Sequence, residues 1–316
     1  VTMNGSNGDD FLSIRTNENY GDITIDGKVT MNGGNGNDDM VVDSNNYRAS
    51  LIVSGITMNG GAGNDDFDVS ASDGDLFVQG WVTINGGDGN DDITLDADAY
   101  YGLNITGSVL LNGGAGDDEM DIFADDSQSI VHVQGNVTMV GGDGDDDMAV
   151  YTYGDSGGGP EYGAGPDLLI NGTLTMNGGN GDDELDIYTE VRLDGGAGNY
   201  ADNQNIQIGA VQINGHGGDD SVRITNSQAY GNVINVQRNA SIVMGAGDDF
   251  VRAYGALVRG NVGVILGAGN DGFYGYHNTV LGNLNINGGA GVDFAGVSID
   301  NVVLGNVTLP FIETIA

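Results

Sequence analysis

One short pattern recurs along the whole chain of 316 residues, and this repetition limits the fold more than any other feature. VTMNGGNGNDDMVV begins at Val29, ITMNGGAGNDDFDV at Ile56 and VTINGGDGNDDITL at Val82. Each copy contains a Gly-rich loop of the form G-G-x-G-[N/D]-D. Later copies are weaker, and the copy VRLDGGAGNY at Val191 has Tyr200 in place of the last Asp. The last loop Asp falls at Asp10, Asp38, Asp65, Asp91, Asp118, Asp146, Asp183, Asp220, Asp249, Asp271 and Asp293.

Three short segments of each copy alternate apolar and polar residues, which predicts half-buried β-strands. In the second copy these are residues 23–25, 29–31 and 39–42. A single unit of about 27 residues cannot bury its own apolar face, but stacked units can. We therefore expect an all-β fold, a three-faced parallel β-helix of about twelve coils and roughly 55–60 Å in length. The Gly/Asp-rich loops would stack along one edge. One interior ladder would contain Met3, Met31, Met58, Ile84, Leu111, Met139 and Met176.

The regularity of the repeat divides the chain into stretches. Residues 1–150 form a regular β-solenoid, and residues 151–167 read as a Gly-rich surface loop insertion with several tyrosines. Residues 168–309 continue the solenoid less regularly, and residues 310–316 form an end segment. The copy at Val191 follows its predecessor after only 17 residues, so we expect that coil to lack one side.

The charge balance excludes several function classes. The chain has 46 acidic residues against 8 basic ones, a formal charge of −38, which repels nucleic acid and anionic membranes. Cysteine is absent, so a disulfide framework, Cys-ligated zinc and iron–sulfur clusters are excluded. No apolar run approaches the ~18 residues of a membrane span. We expect no nucleic-acid partner and no membrane insertion.

The position of the acids indicates a cation. Twenty-five of the 46 acids lie in the repeated loops or directly after them. Stacking would bring equivalent carboxylates within roughly 5 Å of one another, where ionised pairs repel by about 1 kcal/mol even in water. Asp and Asn side chains and peptide carbonyls are hard oxygen ligands of the kind that Ca²⁺ prefers. Glycines adopt positive φ, which can turn carbonyls inward.

The loop also resembles a known motif. GGNGNDDM at residues 33–40 is similar to the haemolysin-type (RTX) calcium-binding nonapeptide, G-G-x-G-x-D-x-apolar-x. The resemblance implies parallel β-coils that bind Ca²⁺ in stacked loops, with the last loop Asp supplying carboxylate oxygen and backbone carbonyls much of the rest. Family members carry two motifs per coil, whereas this chain carries one, so we expect one calcium edge and roughly ten ions. Besides the eleven Asp residues above, the expected site residues are Asn37, Asn64, Asn90, Asp117, Asp145, Asp182, Gly34, Gly36, Gly61, Gly63, Gly87, Gly89, Gly114, Gly116, Gly142, Gly144, Gly179 and Gly181.

Other interpretations of the same residues stay open. Gly-Asn-Asp loops also occur as plain β-turns of highly soluble proteins, and a ladder of Thr and Asn could form a flat ice-binding array. A carbohydrate-active β-helix is a further alternative, for which Tyr274, Tyr276, His277 and Arg259 are the candidate cluster. No Ser/His/Asp or Cys/His set can be proposed, so we expect no enzymatic activity.

The expected function is therefore structural: a calcium-rigidified rod at a bacterial cell surface or outside the cell. The chain starts within a repeat at Val1 and shows no separate caps. Because solenoids need caps for solubility, we expect end-to-end association into a filament, matrix or surface layer. The alternative is an adhesin or binding module that contacts a glycan or surface protein through the 151–167 loop.

Overall fold

A computed structural model describes residues 1–16, 18–98, 101–125, 129–155, 167–192, 205–226, 233–298, 300–312 and 314–315. All regular structure in these residues is β-strand, and they contain no helix able to cross a membrane. Every strand pairing is parallel, between equivalent strands of successive coils, in two long sheets. The chain is thus an all-β parallel solenoid, as the repeat predicts.

Three ladders of strands run along the rod. The second sheet is the ladder that follows the loops; its strands are β2 (Phe11–Arg15), β4 (Asp39–Asp43), β6 (Asp66–Ala71), β9 (Asp92–Ala97), β12 (Glu119–Ala124), β15 (Asp147–Asp155), β17 (Glu184–Arg192), β19 (Ser221–Asn226), β22 (Phe250–Tyr254), β25 (Gly272–Tyr276), β28 (Phe294–Val297) and β31 (Thr314–Ile315). The first sheet includes the ladder that enters the loops; its strands are β1 (Thr2–Asn4), β3 (Asp22–Asn35), β5 (Ser50–Ala62), β8 (Val82–Asp88), β11 (Val109–Ala115), β14 (Val137–Asp143), β16 (Asp167–Asn180), β18 (Asn205–Gly217), β21 (Ala240–Ala246), β24 (Val262–Ala268), β27 (Leu284–Ala290) and β30 (Val307–Thr308).

The third ladder belongs to the first sheet, because four long strands, β3, β5, β16 and β18, bend around the corner and take part in both of its ladders. Its other strands are β7 (Asp75–Val78), β10 (Gly102–Ile105), β13 (Ile130–Val133), β20 (Val233–Val236), β23 (Ala256–Val258), β26 (Thr279–Val280) and β29 (Val302–Val303). Twelve strands in the described part of the second sheet correspond to about twelve coils.

The core lies inside the coils and follows the predicted alternation. Met31 pairs in register with Met58, and Met58 with Ile84; all three are fully buried. Asn32, Asn59 and Asn85 are the next residues, and their side-chain amides hydrogen-bond from coil to coil at 2.7–2.8 Å. Apolar burial and amide ladders therefore both fix the register of successive coils.

The structure corrects two predictions about irregular coils. The copy at Val191 is not a coil, since β16 pairs directly with β18 and β17 directly with β19. Its loop residues 193–200 lie outside the described residues. The predicted 151–167 loop is also too long, because residues 151–155 belong to β15 and β16 begins at Asp167. The strands on either side of these residues keep their register with the neighbouring coils, which a spacing count alone cannot show.

Tyr151 shows why strand β15 continues. Its ring stacks between those of Phe123 and Tyr188, with centroids 4.8 Å away on either side, and its hydroxyl donates to Asp121 at 3.1 Å. The side chain is 8% exposed. Stacking in this aromatic ladder therefore keeps Tyr151 in the strand, although the sequence placed it in a surface loop. Tyr162 of the same predicted loop lies outside the described residues.

An internal apolar cavity of about 50 Å³ lies in the C-terminal coils. It forms because the inward position that Ile224 occupies in one coil is occupied by the smaller Ala253 in the next coil and by Gly275 in the coil after that. At ~24 cal/mol per Å³, filling it is worth about 1 kcal/mol.

We expect Ala253→Val, which fills part of this cavity, to raise the urea midpoint of unfolding. Ala97→Val is the control: Ala97 is fully buried and does not line this cavity, so overpacking should lower the midpoint. Equal shifts at both positions would contradict this explanation.

Candidate metal centre

The eleven predicted aspartates form one column at the corner between the two sheets. We call Asp10 and its ten equivalents the inner column. The backbone N–H of each donates to Oδ1 of the aspartate in the next coil, for example from Asp65 to Asp91 and from Asp91 to Asp118, both at 2.8 Å. From Asp38 onward all are at most 2% exposed. The bonds continue without a break from Asp10 to Asp293.

The residues just before them form a second, exposed column with bonds in the opposite direction. Here the backbone N–H donates to the side chain of the preceding coil: from Asn64 to Asn37 and from Asn90 to Asn64 at 3.0 Å, and from Asp117 to Asn90 at 3.2 Å. We call this the outer column; it comprises Asp9, Asn37, Asn64, Asn90, Asp117, Asp145, Asp182, Asp219, Asp248 and Asn270. Asn and Asp alternate freely there because either one supplies the acceptor oxygen.

The twelve glycines predicted as site residues adopt positive φ, the conformation that lets a carbonyl turn inward. All twelve have φ between +121° and +141°, a region that side-chain-bearing residues rarely adopt. A Cβ on Gly61 would also collide with the carbonyl oxygen of Gly34 in the coil before. The first glycine of the loop has a different role: a Cβ on Gly113 would collide with Oδ2 of Asp118.

Later loops keep the columns despite their substitutions. His216 replaces the second glycine and adopts φ +85°, which strains a non-glycine residue. Met244 and Leu266 replace the first glycine and are fully buried. Asp249 and Asp271 nevertheless remain in the inner column at 2.8 Å. The column is thus a property of the stacked coils rather than of a perfect motif.

The second carboxylate oxygen of the inner column is the unusual atom of this edge. Oδ2 is buried and has no hydrogen-bond partner at Asp38, Asp65, Asp91, Asp118, Asp146, Asp183, Asp220, Asp249 and Asp271. Burial, together with repulsion from neighbouring carboxylates, raises the pKa of Asp118 to about 6 and the pKa of Asp146 to about 7. Buried anionic oxygens without partners are costly. A bound proton or a bound cation would therefore stabilise these oxygens.

Acids on the outer face of the second sheet lie beside this edge. Asp39, Asp66, Asp92, Glu119, Asp147 and Glu184 are consecutive register partners. Burial raises the pKa of Asp121 to about 7 and of Asp96 to about 8, with repulsion from other carboxylates adding to it. Arg223 ends this acidic face through ion pairs with Glu184 and Asp186.

The donor atoms suit a hard cation but do not form a carboxylate cage. Within the described residues, no three His, Cys, Asp or Glu side chains are grouped as metal ligands. A calcium ion at this edge would therefore take inner-column carboxylate oxygen and complete its shell with peptide carbonyls of the loops.

Sequence reasoning missed that both columns also cap the backbone. It treated the loop side chains only as ligands, whereas from Asp38 onward each inner-column Oδ1 already accepts an N–H from a neighbouring coil. A signal was present: the outer slot accepts Asn37, Asn64 and Asn90, so an acceptor and not a charge is what that slot needs. The inner slot is Asp in all eleven coils.

Other candidate residues are placed apart from this edge. His132 lies on β13, where its Nε2 is 3.1 Å from the amide of Asn171. His277 packs edge-on against Tyr254 and lies 3.9 Å from Asp300. The groove that contains Tyr274 and Tyr276 is lined by Arg252 and not by Arg259.

The comparisons with known proteins add no identity. Neither the protein-family models, nor the curated proteins, nor the solved structures contain a match to this chain.

Proposed function

We propose that this protein is a calcium-binding structural rod whose loop edge takes up Ca²⁺ between successive coils, in the manner of RTX-like repeats. Inner-column aspartates, with the outer-column residues and the loop glycines Gly34, Gly36 and their equivalents, would hold the ions. Bound calcium supplies positive charge that offsets ionised carboxylates. Roughly ten ions would compensate about half of the formal charge of −38.

One observation carries the proposal. The inner slot is always Asp, although Asn would supply the same Oδ1 acceptor for the neighbouring N–H. The requirement must then come from Oδ2, which is buried and unpartnered in nine of these residues. In the first loop Oδ2 of Asp10 accepts the Ser6 N–H at 2.9 Å. A cation is the partner that distinguishes a carboxylate from an amide at the other positions.

The rod architecture supports a mechanical role. Solenoid stability is a sum of coil and neighbour terms, so an ion between two coils stabilises that interface directly. Sites of moderate affinity fill at the ~10⁻⁴–10⁻³ M calcium at which extracellular modules bind. We therefore propose a location outside the cell or at its surface. End-to-end association stays a prediction, which electron microscopy at saturating calcium tests by the length of the particles.

Substitutions at Asp118 separate calcium binding from backbone capping. Asp118→Asn keeps an acceptor for the Asp91 N–H, so without calcium its stability should equal or exceed that of the wild type. With calcium it should bind at least one ion fewer, losing about 2.7 kcal/mol of stabilisation per lost site at 100 times Kd. Asp118→Ala leaves a buried N–H unpaired and should lose about 1–3 kcal/mol even without calcium. Equilibrium dialysis and urea unfolding measure both effects.

Asp117→Asn is the matched control, because Asn already occupies that slot in three of the early coils. It should change neither the number of bound ions nor the unfolding midpoint. If Asp118→Asn were destabilised equally with and without calcium, Oδ2 would have a purely structural role and the proposal would fail. The adhesin alternative rests on residues 156–166, which lie outside the described residues, and it stays a prediction.

A further inference from the structure

A shallow groove of about 420 Å³ lies on the outer face of the second sheet, in the C-terminal coils. Its walls are the side chains of Phe250, Arg252 and Tyr254 from β22 and of Tyr274 and Tyr276 from β25. Tyr274 is the centre of the cluster, with ring centroids 5.4 Å from Phe250 and 6.1 Å from Tyr276, the latter nearly parallel. We call these five residues the aromatic groove.

Glycines in the neighbouring strands leave space on the sheet for two of the rings. A Cβ on Gly272 would come within 3.0 Å of the Phe250 ring, and a Cβ on Gly296 within 2.9 Å of the Tyr274 ring. Each ring therefore packs against a glycine in the next coil, and the two rings are inclined to each other by 47°. Phe250 remains 39% exposed and Tyr276 36% exposed. The result is a partly exposed aromatic surface rather than a packed core.

The charge of this surface differs from that of the chain as a whole. The outward positions of β19, β22, β25 and β28 contain no acidic residue, whereas the same positions in earlier coils carry the acidic face. Arg223 closes that face by pairing with Glu184 and Asp186. Arg252 is exposed, and within the described residues it makes no ion pair or hydrogen bond. A free guanidinium thus stands beside exposed aromatic rings.

We propose that the aromatic groove binds a glycan that carries widely spaced carboxylate groups. Flat aromatic rings offer an apolar face to the carbon-bound hydrogens of sugar rings, and the guanidinium matches a carboxylate with two parallel hydrogen bonds. The groove contains one arginine, which suits a polymer in which acidic and neutral sugars alternate. A densely charged polyanion would be repelled by the formal charge of −38.

Titration calorimetry with a hyaluronan tetrasaccharide, in which glucuronate and N-acetylglucosamine alternate, tests the proposal; chitotetraose is the neutral probe. We expect the wild type to prefer the acidic probe. Arg252→Gln should weaken the binding of the acidic probe about tenfold, as expected for the loss of a charge-assisted pair. The affinity of the variant for this probe should then equal its affinity for chitotetraose. Tyr274→Ala should weaken both probes.

Phe77→Ala and Arg48→Gln are matched controls, since Phe77 is an exposed aromatic residue of β7 and Arg48 is remote from the groove; both should bind like the wild type. Equal thermal unfolding midpoints would show that the variants are folded. Absence of binding by the wild type, or affinity unaffected by Arg252→Gln, would overturn the proposal. Calcium titration reports on the loop edge instead, so failure of one proposal leaves the other measurable.

Discussion

Calcium is expected to raise the midpoint of thermal unfolding of this chain by about 20 °C or more. Each site adds ~2.7 kcal/mol when free calcium is 100 times Kd, and 1 kcal/mol shifts the midpoint by roughly 2–4 °C in chains of 150–250 residues. Roughly ten sites would multiply that effect. The physical source is the inner column, where Asp65, Asp91 and Asp118 place buried, unpartnered Oδ2 atoms in consecutive coils.

Circular dichroism during heating, with chelator and then with excess calcium, measures this shift. Ionic strength is matched with NaCl, because general screening would also weaken repulsion among 46 acids. Magnesium at the same concentration is the second control, since it demands tighter octahedral geometry than flexible loops provide. A midpoint that responds no more to calcium than to NaCl or magnesium would show that the loops are plain turns.

The fold could be predicted from the sequence because every coil repeats the same pattern of alternating residues, glycines and loop spacing. The alternation of residues 29–31 sets the inward face, the glycines set the turn, and the spacing sets the stacking. Met31 and Met58 are therefore buried partners, and Asp38 and Asp65 lie in one column, as expected. Local propensity, pattern and tertiary packing agree in this chain.

The rest depended on contacts between coils that a linear pattern does not contain. The copy at Val191 has the sequence of a loop, but β16 pairs directly with β18 and β17 with β19, so this copy does not add a coil. Tyr151 stays in a strand because Phe123 and Tyr188 stack on its ring. Likewise, the direction of the hydrogen bonds in the two loop columns follows from three-dimensional stacking and cannot be read from spacing.

The second large effect is a reversal of the pH dependence of stability by calcium. In the metal-free chain, burial raises the pKa of Asp121 and Asp186 to about 7 and of Asp96 to about 8. Each folded-state pKa lies above the unfolded value near 3.9, so the folded chain binds more protons over that interval. The free energy of unfolding is therefore greatest below about pH 4 and falls as the pH rises from there to about 8.

Asp96→Asn should remove part of this fall in the free energy of unfolding, because an uncharged amide costs less to bury than an ionised carboxylate. The variant should unfold at a higher temperature than the wild type at pH 8, and this difference should shrink steadily toward pH 4. Asp26→Asn changes an exposed acid and should leave the slope as it is. Both comparisons are made in chelator, with thermal unfolding at several pH values as the measurement.

Calcium should turn the slope around, since it binds ionised carboxylates and protons compete with it. Between pH 5 and pH 8 the metal-free midpoint is expected to fall and the calcium-loaded midpoint to rise, so the two curves diverge toward high pH. The inner column explains the second curve, and the raised pKa values of the inner column and of the acids on the outer face of the second sheet together explain the first. Parallel curves would mean that calcium does not act through titrating carboxylates. A metal-free midpoint that rises with pH would mean that the buried acids are stabilised as anions by contacts within the protein.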